Sequence, residues 1–184
     1  MVAIGVTGHR FLTHTERISA GVDQALARIE QTFHGQPLTL ISSLAEGADR
    51  LVVGRVLARR TVRLVVPLPL PVWDYLNDFE SPESQEEVRS LLEHADEIIT
   101  LPSAATREAA YEAAGLYVLD RCDVLLAIWD GQPEQGTGGT GAIVHRARQL
   151  HRPIAWIHAS NYKPGTREPT SLGAAQDTVT FDNI

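Results

Sequence analysis

Asp123-Val124-Leu125-Leu126-Ala127-Ile128-Trp129, running directly into Asp130-Gly131-Gln132-Pro133-Glu134-Gln135-Gly136-Thr137-Gly138-Gly139-Thr140-Gly141, is the stretch on which the fold turns. Its first half is the most strand-like run in the chain, apolar almost throughout and as long as a buried strand. Strands that are apolar on both faces belong to parallel sheets covered by helices. Its second half carries four glycines and two threonines from Gly136 to Gly141, just before a predicted helix that runs to about Leu150. Such a turn exposes backbone N–H groups at the positive end of a helix dipole, which suits an anion. No Lys-Ser/Thr pair comes after the glycines, so this is not a P-loop. The competing account is a flexible surface loop. Its place at the predicted ligand edge of the sheet favours a site.

The same alternation extends in both directions. Val2–Thr7 reads as a first strand, and a helix comes next from about Thr15 with Ile18, Val22, Leu26 and Ile29 on one face. Thr13 and Glu16 have capping-box spacing, as do Ser43 and Glu46 after a second strand, Leu38–Ser42. The second box predicts a helix reaching roughly Arg59, then a third strand, Val62–Pro67. Pro67-Leu68-Pro69-Leu70-Pro71 predicts an extended linker without helix. Ser81-Pro82 predicts an N-cap and first helical residue, with the helix ending near Ala95. A strand at Glu97–Leu101, a helix at Arg107–Arg121 and a last strand at Pro153–His158 complete the series. Beyond Ser160 the sequence is polar, with Thr178–Phe181 as a further edge strand. The expected fold is an α/β, Rossmann-like three-layer sandwich, its mostly parallel sheet covered by helices on both faces. Ligands bind such sheets beyond the carboxyl ends of the strands, where the strand order reverses.

The turns that leave the strands therefore supply the candidate residues. Thr7-Gly8-His9-Arg10 leaves the first strand: Gly8 permits close approach to a ligand, and Arg10 offers paired donors to phosphate or carboxylate. The plainer reading makes Gly8 a tight-turn residue and leaves His9 and Arg10 on the surface. After the second strand come Ser42-Ser43 and then Glu46-Gly47-Ala48-Asp49-Arg50. A dinucleotide dehydrogenase would carry an acidic residue there and Gly-x-Gly-x-x-Gly in the first turn; both are missing. Glu46 reads first as the cap partner of Ser43, and Asp49 as a favourable charge at a helix N-terminus. Gly47 costs roughly 1 kcal/mol against alanine at a helix start, so close approach of a ligand or of neighbouring backbone is needed to explain it. Trp73, Tyr75 and Phe79 form an aromatic patch suited to packing on the domain or to stacking on a base.

Composition sets the outer bounds. At 184 residues and 43% hydrophobic, the chain has the size and core of one domain. A net charge of −7 disfavours direct nucleic-acid binding, though not a small anion held locally. No apolar run is long enough for a membrane span, and Met1–Val6 does not open a signal peptide. Cys122 stands alone, a core residue rather than a nucleophile, and points to a reducing, cytoplasmic setting. The seven histidines show no metal-ligand spacing, so no metal is expected.

Taken together, Gly5-Val6-Thr7-Gly8-His9-Arg10, Ala45-Glu46-Gly47-Ala48-Asp49, and Leu125–Gly131 with Gly138-Gly139-Thr140 resemble the SLOG superfamily, in its uncharacterised bacterial branch. That superfamily joins the DNA-processing A proteins with the LOG family. Pro67–Phe79, with Tyr75, Asp78 and Phe79, is similar to the same branch. The likeness implies a nucleotide-binding domain over residues 1–159, with 160–184 as a polar tail. It also implies a pocket for a nucleotide-type ligand such as AMP, ADP-ribose or an NAD-like molecule, with no other cofactor required. Homodimers are common among members. By the resemblance Gly8 and Arg10 line the pocket, Gly47 opens it, and Gly138, Gly139, Thr140 and Gly141 cradle phosphate; His9 and Ser43 are further candidates for ligand binding. The phosphoribohydrolases of the superfamily carry Pro-Gly-Gly-x-Gly-Thr-x-x-Glu; here the glutamate position holds His145 and the threonine position Ala142. Histidine does not supply the negative charge that stabilises an oxocarbenium-like centre. Asp49, Asp130 and Glu46 are the carboxylates left as catalytic candidates. Binding or sensing of a nucleotide is thus the first expectation. A nucleotide N-glycosidase or related hydrolase is the second, and a scaffold or DNA-processing partner the third.

Overall fold

The computed structural model of the chain describes residues 1–58, 62–133, 139–163, 166 and 168–184. Its strands are β1 (Val2–Gly8), β2 (Leu38–Ile41), β3 (Arg63–Leu68), β4 (Glu97–Thr100), β5 (Val124–Trp129), β6 (Ile154–His158) and β7 (Val179–Asp182). Its helices are α1 (Thr15–Thr32), α2 (Ala48–Leu57), α3 (Val72–Tyr75), α4 (Pro82–Glu93), α5 (Arg107–Arg121) and α6 (Thr140–Gln149). Arg59, where the second long helix is expected to end, lies outside the described residues. One sheet contains all seven strands in the order β4-β3-β2-β1-β5-β6-β7. Every pairing is parallel except that of β7 on β6. This is the expected Rossmann-like three-layer sandwich.

The period-2 alternation of side chains divides the core into two layers. Ile4, Val6, Leu64, Val66, Leu126 and Ile128 face one side, against Ile18, Val22 and Ile29 of α1, Val52 and Val56 of α2, and Val88 and Leu92 of α4. Leu125, Ala127, Trp129 and Ile154 face the other, against Leu119 of α5 and Ile143, Val144 and Ala147 of α6. Both faces of β5 are fully buried, which is why its sequence lacks alternation. Cys122 sits in the second layer, where burial pushes its thiol up to about 11 and removes it as a nucleophile. Among the described residues no helix is long and apolar enough to cross a membrane.

Both predicted capping boxes fail to form. Helix α1 starts after His14, which adopts a left-handed conformation and provides no side-chain cap. The Thr13 hydroxyl is instead 2.5 Å from that of Ser160. Helix α2 starts after Gly47, well beyond Ser43, and no side chain caps it. Tertiary contacts have taken the groups that local sequence assigned to the caps. At Ser81 the expected cap does form: its Oγ accepts the Ser84 N–H at 3.0 Å, with Pro82 opening α4. The proline linker is also corrected. Strand β3 continues through Pro67 to Leu68, because β2 pairs no further than Val65 and the missing N–H breaks no bond on that side. The chain then turns into α3 and a 3-10 turn at Leu76–Asp78 rather than staying extended.

Candidate functional site

Strand β1 lies between β2 and β5, and the chain reaches β5 only after building out to β4. The connections leaving β1 and β5 therefore diverge, and a crevice opens beyond their carboxyl ends. A cavity of about 430 Å³ occupies it, within the range of small-molecule sites.

The floor of the crevice is backbone packed on backbone. A Cβ at Gly8 would collide with Ala48 and the Ile128 carbonyl. The Ala48 N–H donates to the His9 carbonyl at 3.0 Å. Gly47 holds φ at +78°, and a Cβ there would strike the carbonyl oxygens of His9 and Arg10. The neighbouring turn therefore accounts for Gly47, with no ligand needed. Leu44, fully buried, also has a positive φ of +57°, a strained conformation that the packing around it sustains.

Asp49 on the first turn of α2 lines the cavity. Its Oδ2 accepts the Ser42 hydroxyl at 2.7 Å. Burial pushes its carboxyl up to about 6; bonds from Ser42 and from the Ala45 and Ser43 backbone, and the nearby Arg50 charge, oppose the rise. Above it the Tyr75 hydroxyl donates to the Ser43 carbonyl at 3.0 Å. Burial, then the Asp49 charge, raises the Tyr75 phenol above its ordinary value and keeps it protonated. Tyr75 and Phe79 meet edge to face, with centroids 5.0 Å apart, and both wall the cavity. Arg107 at the start of α5 fixes this wall, donating to Asp78 Oδ1 at 2.8 Å and Asp74 Oδ1 at 3.1 Å. Trp73, from the same patch, is 72% exposed.

His9 is buried against the connection that leaves β5. The Asp130 N–H is 3.0 Å from its Nε2, and the Asn161 side-chain nitrogen is 3.2 Å from its Nδ1. Burial lowers its pKa, with Asp130 opposing, so the imidazole is neutral at pH 7. The Asp130 carboxylate, 3.4 Å from Nε2, is turned toward His9 and Gln132. Asn161 belongs to the stretch expected to be tail, yet it forms part of the cavity wall.

Arg10 and Glu46 pair at 3.2 Å. Glu46 Oε1 also accepts the Ser84 hydroxyl at 2.5 Å, which ties Glu46 to α4 rather than to Ser43. Arg10 and Phe11 border both the first cavity and a second one of about 660 Å³, which Glu46, Gly47, Arg50, Glu83 and Glu87 also line. The Arg50 side chain is 4% exposed, lies 4.4 Å over the Phe79 ring, and bonds the Leu44 carbonyl, Ser84 and Glu87.

On the opposite bank, α6 points its N-terminus at the first cavity. Gly139, its N-cap residue, and Thr140 line the cavity, and no side chain among the described residues caps the helix. First-turn N–H groups without a cap are ready donors to an anion. Gly138 lies outside the described residues. Gly141 and His145 face away, toward a third cavity of about 300 Å³ bordered by Trp129 and Arg148. Trp129 and Trp156 have ring centroids 5.3 Å apart, His158 stacks on Trp156, and the Arg148 guanidinium sits over Trp156. The Trp129 Nε1–H donates to the Gln132 carbonyl, pinning the start of the glycine-rich connection.

Of the residues expected at the site, Gly8, His9, Arg10, Ser43, Gly139, Thr140 and Asp49 meet around one cavity. Glu46 and Gly47 border the second cavity, Gly141 the third, and Asp130 lies behind His9. Sequence reasoning misses Ser42, Arg50, Tyr111 and Asn161. Ser42 carries a signal, as a hydroxyl shortly before a helix-start carboxylate; the others are united only by the fold. Among the described residues no three His, Cys, Asp or Glu side chains are grouped to hold a metal ion. Compared with models of protein families and with curated proteins, the sequence finds no match.

Proposed function

We propose that the chain binds a nucleotide or nucleotide-derived phosphate ligand at the crevice between β1 and β5. The observation that carries this reading is the uncapped N-terminus of α6 facing a largely apolar cavity at the strand-order reversal. Phosphate takes the first-turn N–H groups of α6 with Arg10 nearby, while Tyr75, Phe79 and Tyr111 offer aromatic surface to a base. The resemblance of the β1 turn and the glycine-rich connection to SLOG proteins supports the same ligand class.

A second reading, N-glycosidic hydrolysis, is favoured by one observation. Asp49 is the carboxylate on the cavity wall and holds its proton to about pH 6, suited to general acid–base work. His145 takes no part in such a step, since that side chain faces another cavity.

Thermal melting with AMP, ADP-ribose, NAD and cyclic nucleotides, with product analysis of each mixture, tests both. Ligand at 100 times its Kd adds about 2.7 kcal/mol of stability, a rise of several degrees at about 2–4 °C per kcal/mol. Gly139→Asp is the decisive variant: aspartate is a favoured N-cap, yet it places a carboxylate where the phosphate is to sit. The variant should melt no lower than the native protein and show no ligand shift. A full shift in Gly139→Asp removes the phosphate site from α6. Release of free base, lost in Asp49→Asn, moves the conclusion from sensor to hydrolase.

A further inference from the structure

Strand β4 lies at one end of the sheet, three places from β1, and has no part in the nucleotide site. Among the described residues nothing pairs with its outer side. Such edges are usually protected by lysine, proline, a bulge or an outward charge. Glu97-Ile98-Ile99-Thr100 contains neither lysine nor proline, and it pairs with β3 without a bulge. Its acids are engaged with β3: Glu97 pairs with Arg63 at 2.6 Å, and Asp96 Oδ2 accepts the Leu64 N–H at 2.7 Å. Ile98 is 46% exposed. Only the strand's shortness, at four residues, restrains it.

The phase of the ladder identifies the free backbone groups. The Val65 carbonyl takes the Ser42 N–H on the β2 side, and the Leu68 carbonyl takes the Leu101 N–H on the β4 side. Alternation then turns Glu97 and Ile99 toward β3 and leaves the N–H and C=O of Ile98 and Thr100 facing outward. Such an edge can pair antiparallel with its own copy about a two-fold axis. Centring on Glu97 sets two carboxylates face to face. Centring on Ile98 matches Thr100 with Asp96, whose N–H already donates to the Leu64 carbonyl at 2.9 Å. Centring on Ile99 matches Ile98 with Thr100 on both sides of the axis and sets Glu97 against Leu101. That register uses every outward group of both residues and opposes no like charges. It also brings Ile99 against its own copy in the close, non-hydrogen-bonded position, with about 4.5 Å between Cα atoms. Ile99 packs with Ile41, Val65 and Val118 of α5, so this small apolar cluster runs on from one copy into the next.

We infer that β4 is the docking edge for a second copy of this chain. The two molecules join antiparallel through Ile98–Thr100, around a two-fold axis at Ile99, into one continuous sheet.

Sedimentation of the full chain should give the dimer mass at about 100 μM, ample for a Kd in the micromolar range. Ile98→Lys combined with Thr100→Lys sets like charges opposite each other in both pairs and should give the monomer mass. Ile98→Lys combined with Thr100→Glu sets opposite charges there and should restore the dimer. Both positions are exposed, so both doubles should keep the native far-UV circular dichroism. Cross-linking reads the register without those doubles. Under mild oxidation Ile99→Cys should form a disulfide-linked dimer. Ile98→Cys should not, because in this register its copy lies beyond the roughly 7 Å reach of a disulfide. Cys122 is 2% exposed and gives no background. A monomer at about 100 μM, or a dimer that both doubles leave intact, overturns the docking edge. Cross-linking through Ile98→Cys in place of Ile99→Cys overturns the axis at Ile99.

Discussion

Asp49 shows how a single side chain can serve a site at a cost to stability. Its native pKa of about 6 lies above the 3.8 of an ordinary aspartate, so the native state holds the proton more tightly than the unfolded chain. The contribution is complete below about pH 4 and is lost as pH rises through about 6. The difference between those two values corresponds to about 3 kcal/mol. Denaturant unfolding of the native protein and of Asp49→Asn, at pH 4 and at pH 8, should show the variant gaining about 3 kcal/mol relative to native between those limits. A difference independent of pH would mean that Asp49 ionises normally. Sequence reasoning places Asp49 among the candidates but sees only a charge near a helix dipole. The burial that shifts it comes from β2, α2 and the Tyr75 wall together, and no local pattern encodes that. Gly47 is legible in a different way: its conformational cost is visible as a demand, while the answer, the carbonyls of His9 and Arg10, lies in the turn after β1.

At the level of elements, the cap at Ser81 and the missing cap at Ser43 make a controlled pair. Ser81→Ala removes the bond to the Ser84 N–H and should cost about 1 kcal/mol. Ser43→Ala removes a hydroxyl that caps nothing and should stay within about 0.5 kcal/mol. Chemical denaturation midpoints of the two variants decide it; equal losses would restore the capping box. Both serines have the same local spacing to a helix-favouring acid or polar residue, and Pro82 after Ser81 is the one local mark that favours that cap. The difference is that Glu46 is drawn away by Arg10 and Ser84. Long elements are the most legible: the one-sided Ile18–Ile29 face of α1 comes directly from its periodicity, and β5 from an unbroken apolar run buried on both faces. The least legible is α3, a four-residue helix behind three prolines, because its stability comes from Arg107 and Tyr75 contacts rather than from its own propensity.

At the scale of the whole molecule, the polar segment after Ala159 does more than its composition suggests. Strand β7 closes the β6 edge, Val179 and Phe181 pack on the main core, and Asn161 reaches His9. Losing those two side chains from the core costs about 3 kcal/mol, or about 10 °C at about 2–4 °C per kcal/mol. A chain ending at Ala159 should therefore melt about that much lower in a calorimeter, and lose the nucleotide shift with its Asn161 wall. An unchanged melting temperature would make residues 160–184 an appendage after all. The crevice at the carboxyl edge of the sheet is legible from the alternation of strands and helices alone. Which side chains meet there depends on the C-terminal segment folding back across β6. The two indoles of Trp129 and Trp156, 5.3 Å apart, have an optical consequence. Rings that close couple their electronic transitions, so circular dichroism of the folded protein should show an exciton couplet, and exposed Trp73 should contribute separate, long-wavelength emission. Because the Trp129 Nε1–H holds the Gln132 carbonyl, a change in that couplet on adding a nucleotide would report a shift at Gln132.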